Sequence, residues 1–144
     1  MKIKILIISL IMIPGLLLAQ NASKKDIKAV CTEFEQTILN KNLDASLKFF
    51  EPEYKQMQHD RFLEGNTTQF VREFLAGATK GKALYRTPEI AEIESIKLKK
   101  IKFTTDDEAE ATLFIKLKDG AKLRSQVLII IKSDKEIYFV GAVG

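Results

Sequence analysis

The apolar positions of this chain change period near its middle. Ile27, Val30, Cys31, Phe34 and Ile38 recur at the spacing that lines one face of an α-helix. Ser23 with Asp26 three positions on forms an N-cap pattern, so the helix is predicted to run from just after Ser23 to Asn40. Asn40-Lys41-Asn42 reads as a turn, and Leu43 to Phe50 as a short second helix ending before Pro52. Glu53 to Leu63 reads as more helix, stopped by Gly65. Asn66 with Gln69 caps a further helix, Thr67 to Ala76, which carries Phe70, Val71, Phe74 and Leu75. Gly77 and Gly81 bound a loop. Lys82 to Ile93 fits neither period cleanly, and Pro88 argues against a central strand there.

From Glu94 onward the period is two. Ala109, Ala111, Leu113, Ile115 and Leu117 form one inner face, and Leu123, Ser125, Val127, Ile129 and Ile131 the next. Matching those faces sets Lys118 opposite Lys122 around a three-residue loop, Asp119-Gly120-Ala121. The following hairpin sets Ile131 opposite Ile137 and Ile129 opposite Phe139 around Ser133-Asp134-Lys135, with Lys132 meeting Glu136. In the strand Glu94 to Thr104 the alternation flips midway. Ile96 and Leu98 share a face, and then Ile101 and Phe103 do. One extra residue at Lys99-Lys100 repairs this, the pattern of a β-bulge. Helices followed by antiparallel strands with one apolar face predict an α+β domain, its N-terminal helices packed on a curved sheet of four strands or more.

The first residues stand apart. Lys2 and Lys4 precede an apolar run from Ile5 to Leu18, and Ala19 closes it. That is a secretory signal peptide, residues 1–19, and the run is too short to span a bilayer as a helix. The expected location is periplasmic or secreted, with residues 20–144 as a single domain. Gln20-Asn21 follow the cleavage site where a lipoprotein would need cysteine, so no stable membrane anchor is expected. Losing Lys2 and Lys4 lowers the formal charge from +4 to +2. A balance this mild predicts no nucleic-acid partner. Cys31 is the only cysteine, which excludes an intrachain disulfide and leaves stability to the apolar core.

The opening amphipathic helix, Asp44-Ala45-Ser46-Leu47-Lys48-Phe49-Phe50 with Pro52 after it, and the closing Val127-Leu128-Ile129-Ile130-Ile131 and Ile137-Tyr138-Phe139-Val140 resemble the nuclear transport factor 2-like superfamily. That superfamily includes ketosteroid isomerase-like and polyketide cyclase-like proteins, and the resemblance covers about residues 23–144. Secreted members of unknown role are similar also in Gln58-His59-Asp60-Arg61-Phe62-Leu63-Glu64-Gly65-Asn66. The resemblance implies helices that close the curved sheet into a cone. The superfamily holds isomerases, dehydratases, cyclases and hydrolases beside non-catalytic binding and dimerising domains, so fold alone does not choose among them.

Candidate chemistry is sparse. His59, the only histidine, adjoins Asp60, and a histidine near an acid is a candidate general base. Neighbours on an α-helix point apart, however, so these two are not expected to meet. Tyr54 and Asp60 are the residue types of a phenol donor and a carboxylate base; a solvated helix surface is the simpler account of all three. One histidine and one cysteine cannot make the usual zinc site, and Asp106-Asp107-Glu108 lacks calcium-loop spacing, so no metal or other cofactor is expected. Cys31 lies on an apolar stripe and reads as a buried structural thiol. Gly81-Lys82 lacks the spacing of a phosphate loop. Asn21 and Asn66 begin glycosylation sequons, meaningful only in a host that uses them.

Two sheet features carry more. Ala111, Ser125 and Gly141 are small residues among large ones on the inner face and would leave a pocket for a small apolar ligand. On the outer face, Leu128 opposite Val140 and Ile130 opposite Tyr138 form an apolar patch that suits a homodimer interface or cover by Lys82 to Ile93. Lys116, Lys118, Lys122 and Arg124 gather near one hairpin of that face, where an anionic surface or ligand competes with plain solvation. The leading expectation is an exported, non-enzymatic binding or dimerisation domain. The alternatives are a cone-fold isomerase, dehydratase or cyclase acting through Tyr54, His59 and Asp60, and a structural envelope module without a ligand. N-terminal sequencing of exported protein should read from Gln20; a start at Met1 would remove the export assignment.

Overall fold

The computed structural model describes residues 22–79, 81 and 84–143; the predicted leader, its cleavage site and Asn21 lie outside them. Helix α1 (Lys24–Leu39) starts at Ser23, where a reciprocal capping box with Asp26 satisfies the first N–H groups. The turn after it holds Lys41 at φ 58°, and α2 (Leu43–Ser46) runs into a 3-10 turn, Leu47–Phe49. Pro52 opens α3 (Pro52–Lys55), where its missing N–H costs nothing, with Glu51 as the cap. The chain then widens into a π-helical segment, Gln56–Phe62. Glu64 and Gly65, both at positive φ, turn it toward α4 (Thr67–Phe74), capped by Asn66.

Six strands follow: β1 (Gly77–Thr79), β2 (Tyr85–Arg86), β3 (Ile93–Phe103), β4 (Glu108–Leu117), β5 (Lys122–Ile131) and β6 (Ile137–Val143). The sheet is antiparallel in the order β2-β1-β5-β4-β3. Both β1 and β6 lie along the edge of β5 that β4 leaves free, β1 at its start and β6 along the rest. The expected α+β class with helices on a curved antiparallel sheet is therefore present, and the sheet is not closed. Strand β1 arises where a loop was expected and β2 in the stretch that fitted neither period; their few residues are too short a run for an alternation to show.

The predicted bulge in the first long strand is there. Leu98 pairs with Leu113 and Lys100 with Thr112, so Lys99 is the extra residue. A second bulge at Glu94 bends the same strand further. The hairpin at Ser133-Asp134-Lys135 has the expected register, Lys135 taking the positive φ of its last position.

Two register expectations are corrected. Lys122 faces Lys116, not Lys118, so Leu113 meets Ser125 and Ala111 meets Val127. The loop is Lys118-Asp119-Gly120, closed by Leu117 and Ala121, because Gly120 at φ 87° completes a turn ending in a left-handed residue. The faces survive because the shift is an even number of residues. In β6, Leu128 pairs with Gly141 rather than Val140, because Val140 is an extra residue between Phe139 and Gly141. That bulge moves Gly141 from the inner face to the outer one and brings Ala142 inward opposite Val127.

The hollow of the bent sheet is filled by rings. Phe34 meets Phe49, Phe50, Phe74 and Phe139 edge to face at centroid separations of 5.2–5.9 Å. Beside it Glu35, only 2% exposed, accepts the N–H of Ile96 at 2.6 Å and the Lys97 ammonium at 2.8 Å. It thereby ties α1 to β3, the edge strand of the sheet, and occupies a donor that would otherwise invite another strand.

Glu35→Ala should cost about 2–4 kcal/mol in urea unfolding, since it orphans a buried N–H and removes a charge-assisted bond. Lys97→Met should cost less than Glu35→Ala, because Glu35 loses its countercharge but keeps the Ile96 N–H. Equal losses in the two variants would show that the ion pair, and not the edge N–H, is what Glu35 serves.

Candidate functional site

His59 and Asp60 come together more closely than expected, and Tyr54 shares only the Phe70 ring with His59. The π-helical segment puts more residues in each turn than an α-helix, and its closing bond runs five residues back, from Leu63 N–H to the Gln58 carbonyl. Consecutive side chains then diverge less, and the His59 ring bonds Asp60 Oδ1 through Nδ1 at 2.5 Å. The expectation that these neighbours point apart is thus overturned by the helix type. His59 Nε2 lies 2.9 Å from Thr67 Oγ1 at the start of α4. An anionic Asp60 takes the Nδ1–H, and in the neutral ring Nε2 then accepts the threonine hydroxyl. Tyr54 and His59 flank the Phe70 ring at 6.0 and 5.4 Å, and Lys55 pairs with Asp60 Oδ2 at 3.2 Å. Sequence reasoning missed Thr67; the Asn66 cap, which turns the first residue of α4 back toward the preceding segment, was the available signal.

This hydroxyl–imidazole–carboxylate row has the order of a nucleophilic relay, but its surroundings are those of a clasp. His59 is buried edge to face against Phe70, and each of its nitrogens is engaged. The row joins the π-helical segment to the N-terminus of α4. Burial lifts the Tyr54 phenol above its ordinary range, with the charge of Glu73 adding to it, so the phenol stays protonated at neutral pH.

The proposed inner pocket residues are placed differently. Ala111 and Ser125 lie on the inner face, each without solvent exposure, whereas Gly141 is on the outer face. Ser125 Oγ is buried without a hydrogen-bond partner among the described residues. Gly77 passes so close that a Cβ there would sit 2.4 Å from the Arg124 carbonyl oxygen, so β1 walls the sheet beside Ser125. Cys31 is buried and its thiol is pushed up to about 12 by desolvation, which keeps it unreactive at neutral pH.

The outer face of the sheet divides along β5. Toward its end, Leu128, Ile130, Tyr138 and Val140 are half-buried, and exposed Val143 adjoins them opposite Gln126. The Tyr138 hydroxyl donates to Glu136 at 2.6 Å, and that bond to a carboxylate raises its pKa. Toward the start of β5 the face is basic, with Lys116 directly opposite Lys122, and Phe114 opposite Arg124. The described part of the Lys82 to Ile93 segment lies at this basic end. Arg86 bonds Asp119 at 2.9 Å and Glu92 at 2.8 Å, so this stretch does not cover the apolar end. The Ala121 N–H and then Arg86 hold the Asp119 carboxyl below the usual carboxylate range.

No group of three or more metal-ligating side chains occurs among the described residues. No helix among them is long and apolar enough to cross a membrane. A scan against protein-family models and a search of curated proteins find no match to this chain.

The clasp has a pH signature. The bond from His59, followed by that from Lys55, lowers the Asp60 carboxyl below its ordinary 3.8. Asp60 therefore adds stability that is full above the unfolded value and is lost as the pH falls through the lower folded value. The stability gap between the wild type and Asp60→Asn, read by urea unfolding, should be widest at neutral pH and narrow below about pH 4. A gap unchanged between pH 7 and pH 3 would mean that Asp60 makes no charge-dependent contact.

Proposed function

We propose that this chain is an exported, periplasmic or secreted, non-enzymatic domain of the nuclear transport factor 2-like type that pairs with a second copy of itself through the outer face of its sheet. The observation that carries this reading is the apolar end of that face. Leu128, Ile130, Tyr138, Val140 and Val143 lie side by side on two paired strands, opposite the face that the helices cover. Antiparallel sheets with one solvated face alternate apolar and polar residues, and this end does not. Each half-exposed side chain would gain about 1 kcal/mol on burial, and a two-fold contact counts each of them twice.

Edge-to-edge pairing is the less favoured route. Glu35 occupies an edge N–H of β3, and Glu51 N–H bonds the Phe139 carbonyl at 2.9 Å on the free edge of β6. These two edges are thus interrupted by elements of the same chain, and the third edge strand, β2, is only two residues long.

The enzyme alternative through Tyr54, His59 and Asp60 has less support. The imidazole is bonded on both sides and buried, and the geometry of the row is accounted for by the joint it makes.

Light scattering across a concentration series should show a dimer at micromolar concentration. Ile130→Lys should return it to a monomer with its thermal unfolding midpoint nearly unchanged, since Ile130 lies outside the buried core. A wild-type monomer at high micromolar concentration would overturn the proposal.

A further inference from the structure

The basic end of the outer face holds a second feature, independent of self-association. One rung of the sheet crosses five strands there: Lys97 on β3, Phe114 on β4, Arg124 on β5, Ala78 on β1 and Tyr85 on β2 are paired in turn. The bulge at Lys99 aims that ammonium at the Phe114 ring, 5.9 Å from its centroid. The next rung sets Lys116 directly opposite Lys122. Glu94 and Glu35 pair with Lys116 and Lys97. Lys99, Lys122 and Arg124 have no carboxylate partner among the described residues. Like charges in cross-strand contact destabilise a sheet, and an anion between them would relieve this.

The surface at this place is concave. A cleft of about 240 Å³ lies on the Lys97, Lys99 and Lys116 side of Phe114. Another of about 340 Å³ lies on the Arg124 and Ala78 side, and Lys122 borders both. An aromatic ring between two clefts, ringed by three unpaired cations, offers an apolar seat and a charged rim together. We propose that this site binds a small amphiphilic anion, an aryl or alkyl carboxylate, sulfate or phosphate. Its apolar body would lie on Phe114 and the Ala78 methyl, and its charge between Lys122 and Arg124. A purely inorganic anion would leave the ring unused, and an extended polyanion would have no need of it.

The probe is naphthalene-2-sulfonate, titrated calorimetrically into the full exported chain, with inorganic sulfate and heparin run beside it. The sulfonate should bind at one site per chain, more weakly as salt rises. Lys122→Gln with Arg124→Gln should weaken it about tenfold or more, and Phe114→Ala by about as much. Lys41→Glu, a charge change on an exposed turn elsewhere, should leave the affinity within about twofold. Ile130→Lys should not alter it, so failure of the dimer and failure of this site read out separately. Retained thermal midpoints in the variants show that the loss is local, and Phe114→Leu tests the ring alone should Phe114→Ala not fold. Wild-type affinity in the Phe114 variants, sulfate binding as tightly as the sulfonate, or heparin binding that ignores Phe114 would each overturn the proposal.

Discussion

The fold depends on filling the hollow of a bent sheet. Two bulges in β3, at Glu94 and Lys99, and one in β6, at Val140, curve the strands, and a curved sheet leaves space that flat packing would not. Phe34 fills its centre. Its ring meets four other phenylalanines edge to face, and these come from the segment after α2, from α4 and from β6. Chain segments far apart in sequence thus share one side chain. Deleting a large buried ring costs about 3–5 kcal/mol, and here the loss would be felt by every layer at once. The residue after it, Glu35, fastens the same helix to the edge of β3. One turn of α1 therefore fixes both the depth and the lateral position of the helix on the sheet.

That packing bears on where function can reside. The inner face, where a cone-shaped domain would hold a ligand, carries Phe34, Phe50 and Phe139 with almost no exposure. Apart from Ser125 Oγ, which has no partner among the described residues, polar groups near it hold elements together, as His59 does between the π-helical segment and α4. The outer face has no such cover among the described residues. Its two halves differ in character along one strand, apolar toward Ile130 and basic toward Lys122, and β5 rises about 3.4 Å per residue, so those two residues stand about 27 Å apart. A contact at one end need not obstruct the other.

Most of the fold was legible from periodicity, because helices and sheets present their buried faces at different intervals. The Ser23 cap, the Asn66 cap, the Lys99 bulge and the final hairpin all followed from residue type and alternation. What was hidden had specific causes. Glu35 is a carboxylate on a helix, and a hydrophobic count assigns such residues to solvent; only the bent edge strand opposite shows why it is inside. The β6 bulge left no trace because Gly141 and Ala142 are small and suit either face. The register of the Gly120 loop turned on which residue takes positive φ, and both placements kept the same faces. His59 and Asp60 meet because the helix that carries them is wound more loosely than α, a property that amphipathic spacing does not encode.

The candidate surface was legible in part for a related reason. Alternation reveals an apolar outer face wherever polar residues should stand, and Leu128, Ile130 and Tyr138 were visible that way. The ring at Phe114 was not, since a single aromatic residue among lysines looks like an isolated exception. Its significance comes from pairing across strands. Register sets it between Lys97 and Arg124, and the Lys99 bulge brings a further charge to its edge. The same bulge that bends β3 around the core thus also shapes the outer surface. Removing it by deleting Lys99 would both flatten the sheet over Phe34 and withdraw the ammonium from Phe114, so the curvature that makes the core and the arrangement that makes the surface are one constraint seen from two sides.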